Sequence, residues 1–258
     1  LTQNADASDA HAQRRARIEA SRDGFLAAVN TAAGGRVFYV QVGAHDGRMA
    51  DPVFATAKEN GWHGLLIEPH PAYFAALQHR YRNRKGFALR QLGISDTEGV
   101  LPLYHLDEAL AEQFPRWVQG CASLDRRRVV QQVKVGCTLR GLVHRDDMVA
   151  QTDVALRRLD SVLAEENIRT ADLLVIDVEG HELPVMASAD LAALSLRGML
   201  VECNGINATQ KPDYVAALQC AGMTVYELGE DLCGFDPTRL TINLAAEFDT
   251  AGLPRLVN

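Results

Sequence analysis

The sequence predicts an α/β fold: a mostly parallel sheet, helices on both faces, and an antiparallel strand pair at the C-terminal end. Three observations carry this. Short apolar runs (Val37–Val40, Leu65–Ile67, Leu173–Ile176) recur between segments of helical period. The first run feeds a glycine turn, Gly43-Ala44-His45-Asp46-Gly47; the second follows about 20 residues later and ends in a carboxylate, Glu68. The third is apolar throughout, the pattern of a strand buried on both faces.

The elements follow in order. Residues 1–15 are polar and are expected to form a mobile tail. A helix is expected from Arg14 to Asn30, with Ile18, Phe25, Leu26 and Val29 packing inward and Gly34-Gly35 ending it. The first strand is Val37–Val42. Pro52–Glu59 reads as a helix stopped by Asn60-Gly61, and Gly64–Glu68 as the second strand. Pro69 and Pro71 open a helix in which Phe74, Leu77 and Tyr81 recur at helical spacing. Phe87–Leu92 is the third strand and leads into Ser95-Asp96.

Residues 100–158 are read as an elaboration on a single domain spanning 16–258. Val100–Leu106, Val129–Val135 and Val149–Val154 are expected as strands, and Phe114-Pro115-Arg116-Trp117 and Cys121-Ala122-Ser123 as loop or lid. Asp160 or Ser161 is expected to cap a helix over Val162–Asn167. Leu173–Asp177 is the fourth strand, with a helix after Gly180. Gly198–Glu202 is the fifth, followed by a helix from Pro212. Met223–Leu228 and Arg239–Leu244 are expected as the terminal antiparallel pair, turning at Asp236-Pro237.

The 258 residues are 47% hydrophobic and 23% charged, the composition of a soluble domain with a sizeable core. The net charge of −7, without a sustained basic block, argues against a nucleic-acid substrate. Arg126-Arg127-Arg128 reads as a solvated turn or helix face, with steering of an anionic acceptor as the alternative. No apolar run approaches the roughly 18 residues of a membrane span, and no signal peptide is visible. The five cysteines lack C-x-x-C spacing, which predicts reduced thiols and a cytoplasmic setting.

A strand, a glycine turn, a helix and a strand ending in a carboxylate can hold a nucleoside. Glycines let the backbone approach the ligand, and Glu68 can accept both ribose hydroxyls. The turn is G-x-x-x-G, without the middle glycine of the dinucleotide fingerprint, and its Asp46 would repel a pyrophosphate. No G-K-[ST] follows, so it is not a Walker loop. The same acid would attract the sulfonium and ammonium of S-adenosylmethionine.

Two blocks carry a family resemblance. The first is Gln41-Val42-Gly43-Ala44-His45-Asp46-Gly47, then Asp51-Pro52, then Gly61-Trp62-His63-Gly64-Leu65-Leu66-Ile67-Glu68-Pro69. The second is Leu159-Asp160-Ser161-Val162-Leu163, then Asp172-Leu173-Leu174-Val175-Ile176-Asp177-Val178-Glu179-Gly180-His181-Glu182. Over roughly residues 36–235 the chain resembles the FkbM-like branch of S-adenosylmethionine-dependent methyltransferases. Val175 stands where that family often carries lysine. The resemblance implies a class I methyltransferase, a Rossmann-like sheet in the order 3-2-1-4-5-7-6. It also implies methylation of a hydroxyl on a sugar or secondary metabolite, with S-adenosylhomocysteine as product.

Loops at one edge of a parallel sheet converge on the ligand. The cofactor is therefore expected against Gly43, Ala44, Asp46, Gly47, Glu68, Pro69, Ser95, Asp96 and Asp177. Glu68 is assigned to the ribose, Asp96 to the adenine side, and Asp46 to the methionine half. A hydroxyl acceptor loses a proton as it attacks, so a base helps. His181 is the expected base, because its ordinary pKa lies near neutrality, with Asp177 and Glu179 to orient it. A histidine that only caps the next helix is the alternative. Asp177, Glu179, His181 and Glu202 are also possible ligands of a divalent ion, but no spacing demands one and no metal residue is assigned. The expected partner is a small-molecule or glycan acceptor, with no nucleic acid and no membrane. N-methylation and a non-catalytic cofactor-binding protein are the rival readings.

Overall fold

The computed structural model describes residues 2–49 and 51–257. Its elements are α1 (Thr2–Ala32), β1 (Phe38–Val42), α2 (Phe54–Glu59), β2 (His63–Ile67), α3 (Pro71–Tyr81) and β3 (Phe87–Arg90). Then come β4 (Gly93–Ile94), β5 (Gly99–Leu106), α4 (Arg116–Gly120), β6 (Ala122–Ser123), α5 (Arg126–Arg140) and β7 (Val149–Arg157). The C-terminal part is α6 (Leu159–Glu165), β8 (Leu173–Ile176), α7 (Glu182–Ala187), β9 (Gly198–Glu202), α8 (Lys211–Cys220), β10 (Thr224–Leu228), β11 (Asp231–Phe235), α9 (Leu244–Thr250) and β12 (Arg255–Leu256).

The main sheet runs β12-β10-β11-β9-β8-β1-β2-β3. The pairs from β9 to β3 are parallel, while β11 is antiparallel to both of its neighbours. Alternating side chains sort the central strands into two cores. Val40, Val42, Leu65, Ile67, Leu174 and Ile176 face one, against α6, α7 and α8. Tyr39, Leu66, Leu173 and Val175 face the other, against α1, α2, α3 and α9. Both faces are covered, as the apolar runs predict. Each such buried aliphatic side chain contributes about 1.5–3 kcal/mol of transfer free energy, which makes these strands the rigid part of the molecule.

A second sheet, β4-β7-β5-β6, stands over one edge of the first. Its long pair, β5 and β7, runs in register from Gly99↔Leu156 to Leu106↔Val149. Helix α5 packs on it through Val129, Val133 and Cys137, which meet Leu106, Phe114 and Val118 in a small separate core.

Several expectations are corrected. The helix expected from Arg14 begins at Thr2 and takes in the segment expected as a mobile tail, apart from Leu1, which lies outside the described residues. Val129–Val135 lies in α5 and is not a strand: Asp125 caps it by accepting the Arg127 N–H, and the inward residues recur every four. The segment 114–123 holds α4 and β6. Helix α6 starts after Arg158, ahead of the expected caps Asp160 and Ser161. The strand expected over Arg239–Leu244 is a turn and the start of α9; the partner of β10 is Asp231–Phe235 instead. A further short strand, β12, lies beyond β10. All five cysteines are free thiols. Among the described residues, no helix is long and apolar enough to cross a membrane.

Candidate active site

The C-terminal ends of β1, β2, β8 and β9 open on one side of the sheet, and α4 and α5 close over them. Between them lies a cavity of about 870 Å³. Gly43, Ala44, Glu68, Pro69, Asp177, Glu179 and His181 all line it.

Gly43 has φ +86°, and a Cβ there would sit 1.7 Å from the Asp177 carbonyl oxygen. The β1 turn therefore touches the β8 loop backbone to backbone. The N–H groups of Gly43 and Ala44 both donate to the Ile67 carbonyl, at 2.9 and 3.0 Å. Glu68 is only 5% exposed. One carboxylate oxygen accepts the His45 N–H at 2.8 Å and the other the His70 N–H at 2.7 Å. Burial pushes its pKa up to about 7 against those two bonds.

Four expected cofactor residues do not line the cavity. Asp46 is consumed by its own turn. Oδ1 accepts the N–H groups of Arg48 and Met49, and Oδ2 pairs with Arg80 at 2.7 Å. Burial works to raise its pKa, but the Met49 N–H and Arg80 outweigh it and hold the carboxyl below its ordinary value. Gly47 serves packing: a Cβ there would lie 2.6 Å from Leu77 and Tyr81 of α3. Ser95 donates to Asp96 at 3.1 Å and lies 3.0 Å from His181 Nε2. With the Ser95 hydroxyl donating to Asp96, His181 Nε2–H donates to the Ser95 oxygen, and Nδ1 is then the unprotonated nitrogen. Burial lowers the His181 pKa, so the ring is neutral near pH 7.

Asp177, Glu179 and Glu202 bring carboxylate oxygens within 4.8 Å of one another. Asp177 and Glu202 are pushed well above the carboxylate range, first by burial and then by neighbouring acids. The two lie close enough that each makes the other's proton harder to lose. His181 does not join this carboxylate group. Glu182, 1% exposed, holds the loop below the acids. It accepts the Gly180 N–H at 2.9 Å and the Tyr214 hydroxyl at 2.9 Å.

Arg128, read in the sequence only as part of a solvated arginine triplet, turns inward and pairs with acids and a backbone carbonyl. From α5, Nε donates to Glu179 at 3.0 Å, and Nη2 reaches the Asn204 carbonyl at 2.9 Å and Glu202 at 3.4 Å. Gln132, one helical turn on, donates to the same Glu179 oxygen at 3.2 Å. Their spacing of four behind a capping aspartate was the available signal. A Cβ at Gly180 would come within 3.3 Å of Arg128. On the other side, His45, Tyr73, His70 and His105 form a column of rings with centroids 4.0, 4.0 and 4.4 Å apart. The column runs from the β1 turn to β5.

Residues 41–220 match the family model of the methyltransferase FkbM domain. The chain belongs to the FkbM methyltransferase family. These are S-adenosylmethionine-dependent enzymes. No curated protein matches the chain. Among solved structures it is similar to an FkbM methyltransferase from Methylobacillus flagellatus KT, at 12% identity and TM-score 0.48, covering 78% of this chain and 44% of that one. It thus spans less than half the length of that relative. It is also similar to precorrin-6y C5,15-methyltransferase from Geobacter metallireducens GS-15 (8%, TM-score 0.39, covering 80% and 72%). A third is Aeropyrum pernix fibrillarin in complex with S-adenosyl-L-methionine (12%, TM-score 0.38, covering 77% and 65%).

The residues of this FkbM domain fit that cofactor. Gly43 and Ala44 line the cavity at the end of β1, and Glu68 presents a carboxylate to it from the end of β2. Gln41, 2% exposed, lines the same space with its Oε1 unpartnered. A buried acceptor without a donor suits a polar ligand.

Proposed function

We propose that this FkbM methyltransferase methylates a hydroxyl oxygen on a sugar or secondary metabolite, free or within a glycan. S-adenosylmethionine supplies a methyl group on a positively charged sulfur. Glu68 takes the ribose hydroxyls, and the Gly43-Ala44 backbone passes beneath the ligand. The observation that carries the oxygen reading is the close pair of carboxyl groups, Asp177 and Glu202, in the same cavity, with burial and neighbouring acids raising both above the ordinary carboxylate range. Once ionised, such a pair is a stronger base than an ordinary carboxylate. In this mechanism Asp177 takes the acceptor's proton and Glu202 is its partner. Glu179, clamped by Arg128, keeps the local charge balanced. His181 Nδ1 accepts a hydrogen bond from the acceptor and orients it. An amine nucleophile needs no such pair, so N-methylation is the weaker reading. The free thiols and the net charge of −7 support a cytoplasmic enzyme with a small or glycan acceptor.

A second reading rests on the three close carboxylates, which can hold a divalent ion. Against it, the Arg128 guanidinium already pairs with two of the three acids, Glu179 and Glu202.

The test is an acceptor panel with isotopically labelled cofactor, with products assigned by NMR. An O-methyl product supports the proposal. An N-methyl product, or tight S-adenosylhomocysteine binding without turnover on any acceptor, overturns it. Loss of turnover in chelator, restored by magnesium, selects the metal reading.

A further inference from the structure

Three further polar residues line the cavity. Arg22 enters it from α1, Gln41 from β1 and Asp51 from the loop after β1. Arg22 Nε, Gln41 Oε1 and Asp51 Oδ2 are all buried with no hydrogen-bond partner. Three orphaned polar atoms from three elements around one space are unusual, since buried polar groups are ordinarily paired. Asp51 is rigid there, because its Oδ1 accepts the N–H groups of Val53 and Phe54 at 2.8 and 3.0 Å. Its Oδ2 is left to face a ligand. The set is one cationic donor with one anionic and one neutral acceptor. That complements an α-amino acid, whose carboxylate and ammonium leave one carbon.

We propose that Arg22, Gln41 and Asp51 form the subsite for the amino-acid end of S-adenosylmethionine, with Arg22 binding its carboxylate and Asp51 and Gln41 its ammonium. The proposal rests on the cofactor reading of this cavity. Glu230 and Asp231 also line the cavity, whose acids outnumber its two arginines, Arg22 and Arg116. That balance suits a ligand with two positive groups and one negative. The subsite replaces the role expected of Asp46, whose oxygens are taken by Arg80 and by backbone N–H groups. It also gives the N-terminal helix a part in binding, through a residue well before the first strand.

The experiment is calorimetric titration of the full chain with two ligands. S-adenosylhomocysteine carries the amino-acid end; 5′-methylthioadenosine keeps the nucleoside and lacks it. Wild type should bind the first at least tenfold more tightly, roughly the worth of one charge-assisted hydrogen bond. Arg22→Gln and Asp51→Asn should each weaken S-adenosylhomocysteine roughly tenfold and leave methylthioadenosine within about twofold. Variants with wild-type affinity for S-adenosylhomocysteine overturn the subsite. Equal weakening of both ligands also overturns it, since the residues would then only support the fold. If wild type binds neither ligand, the cofactor reading itself fails, an outcome distinct from the other two.

Discussion

Arg128 Nε lies 3.0 Å from a carboxylate oxygen of Glu179, and this contact joins the second sheet to the strand-end acids. The arginine side chain is 17% exposed and its partner 22%, so water screens the pair only partly. The acids raise the arginine's own pKa against the opposing effect of burial, and it stays charged at every working pH. One guanidinium thus helps to hold α5 down and sets the charge around the proposed base.

Replacing it should show in both respects. Arg128→Gln removes the cation and strengthens the hold of Asp177 and Glu202 on their proton. The rising limb of the pH–rate profile should move to higher pH by about one unit, and kcat near neutrality should fall roughly tenfold. The KM for the acceptor should rise as well. Arg128→Lys should return the limb part of the way. An unchanged profile would remove Arg128 from the charge balance and leave it a packing role.

The base is identified by the same profile. Because burial and neighbouring acids raise the Asp177 and Glu202 pair, the wild-type rate should climb above the ordinary carboxylate range, through and beyond neutrality. Asp177→Asn should cost roughly 100-fold or more in kcat, abolish that limb and leave S-adenosylhomocysteine affinity little changed. His181→Ala should lower kcat and keep the limb. A limb that lies below pH 6.5 and vanishes with His181 would return the base role to the histidine.

Glu68 links cofactor binding to pH-dependent stability. Its carboxyl rises from 4.5 to about 7 on folding, so the folded protein binds that proton more tightly than the unfolded chain. Its contribution is complete below about pH 4.5 and is lost as pH rises through 7, a change of about 3 kcal/mol. Glu68→Gln should flatten the fall in melting temperature between pH 5 and 8. It should also weaken S-adenosylhomocysteine by about 1.5–3 kcal/mol, the scale of hydrogen bonds to a charged group. Differential scanning fluorimetry and titration measure the two effects separately.

Gly43→Ala is the sharpest steric test. The new methyl group would overlap the Asp177 carbonyl, and relief requires parting the β1 and β8 loops. The expected cost is about 2 kcal/mol or more of stability, with loss of cofactor binding. Chemical denaturation decides it; a variant as stable as wild type would show that the loops part easily.

The parallel strands were legible because alternation and apolar runs report burial directly. Glu68 and Asp177 were legible because they end such strands. Asp46 shows where this stops: an acid in a glycine turn is visible in the sequence, but the direction of its carboxylate is set by Arg80 on another helix. The roles of Arg22 and of Arg128, the latter visible only as one of a triplet, were hidden for the same reason, since the fold brings them to the site from distant elements. Val129–Val135 misled through its β-branched residues, although Val129, Val133 and Cys137 carry the helical spacing that won. In β11, Cys233 and Gly234 weaken the strand pattern, and pairing on both sides makes up for it.

The second sheet leaves the main chain path at β4 and rejoins it at the end of β7, and these two strands lie side by side: Gly93 pairs with Leu156, and Ile94 with Arg157. A segment whose two ends are neighbours behaves as a cassette. Its interior can be lengthened, shortened or exchanged by recombination while the nucleoside half of the enzyme keeps its geometry. Such an exchange would have its two joints side by side, at Gly93 and Arg157.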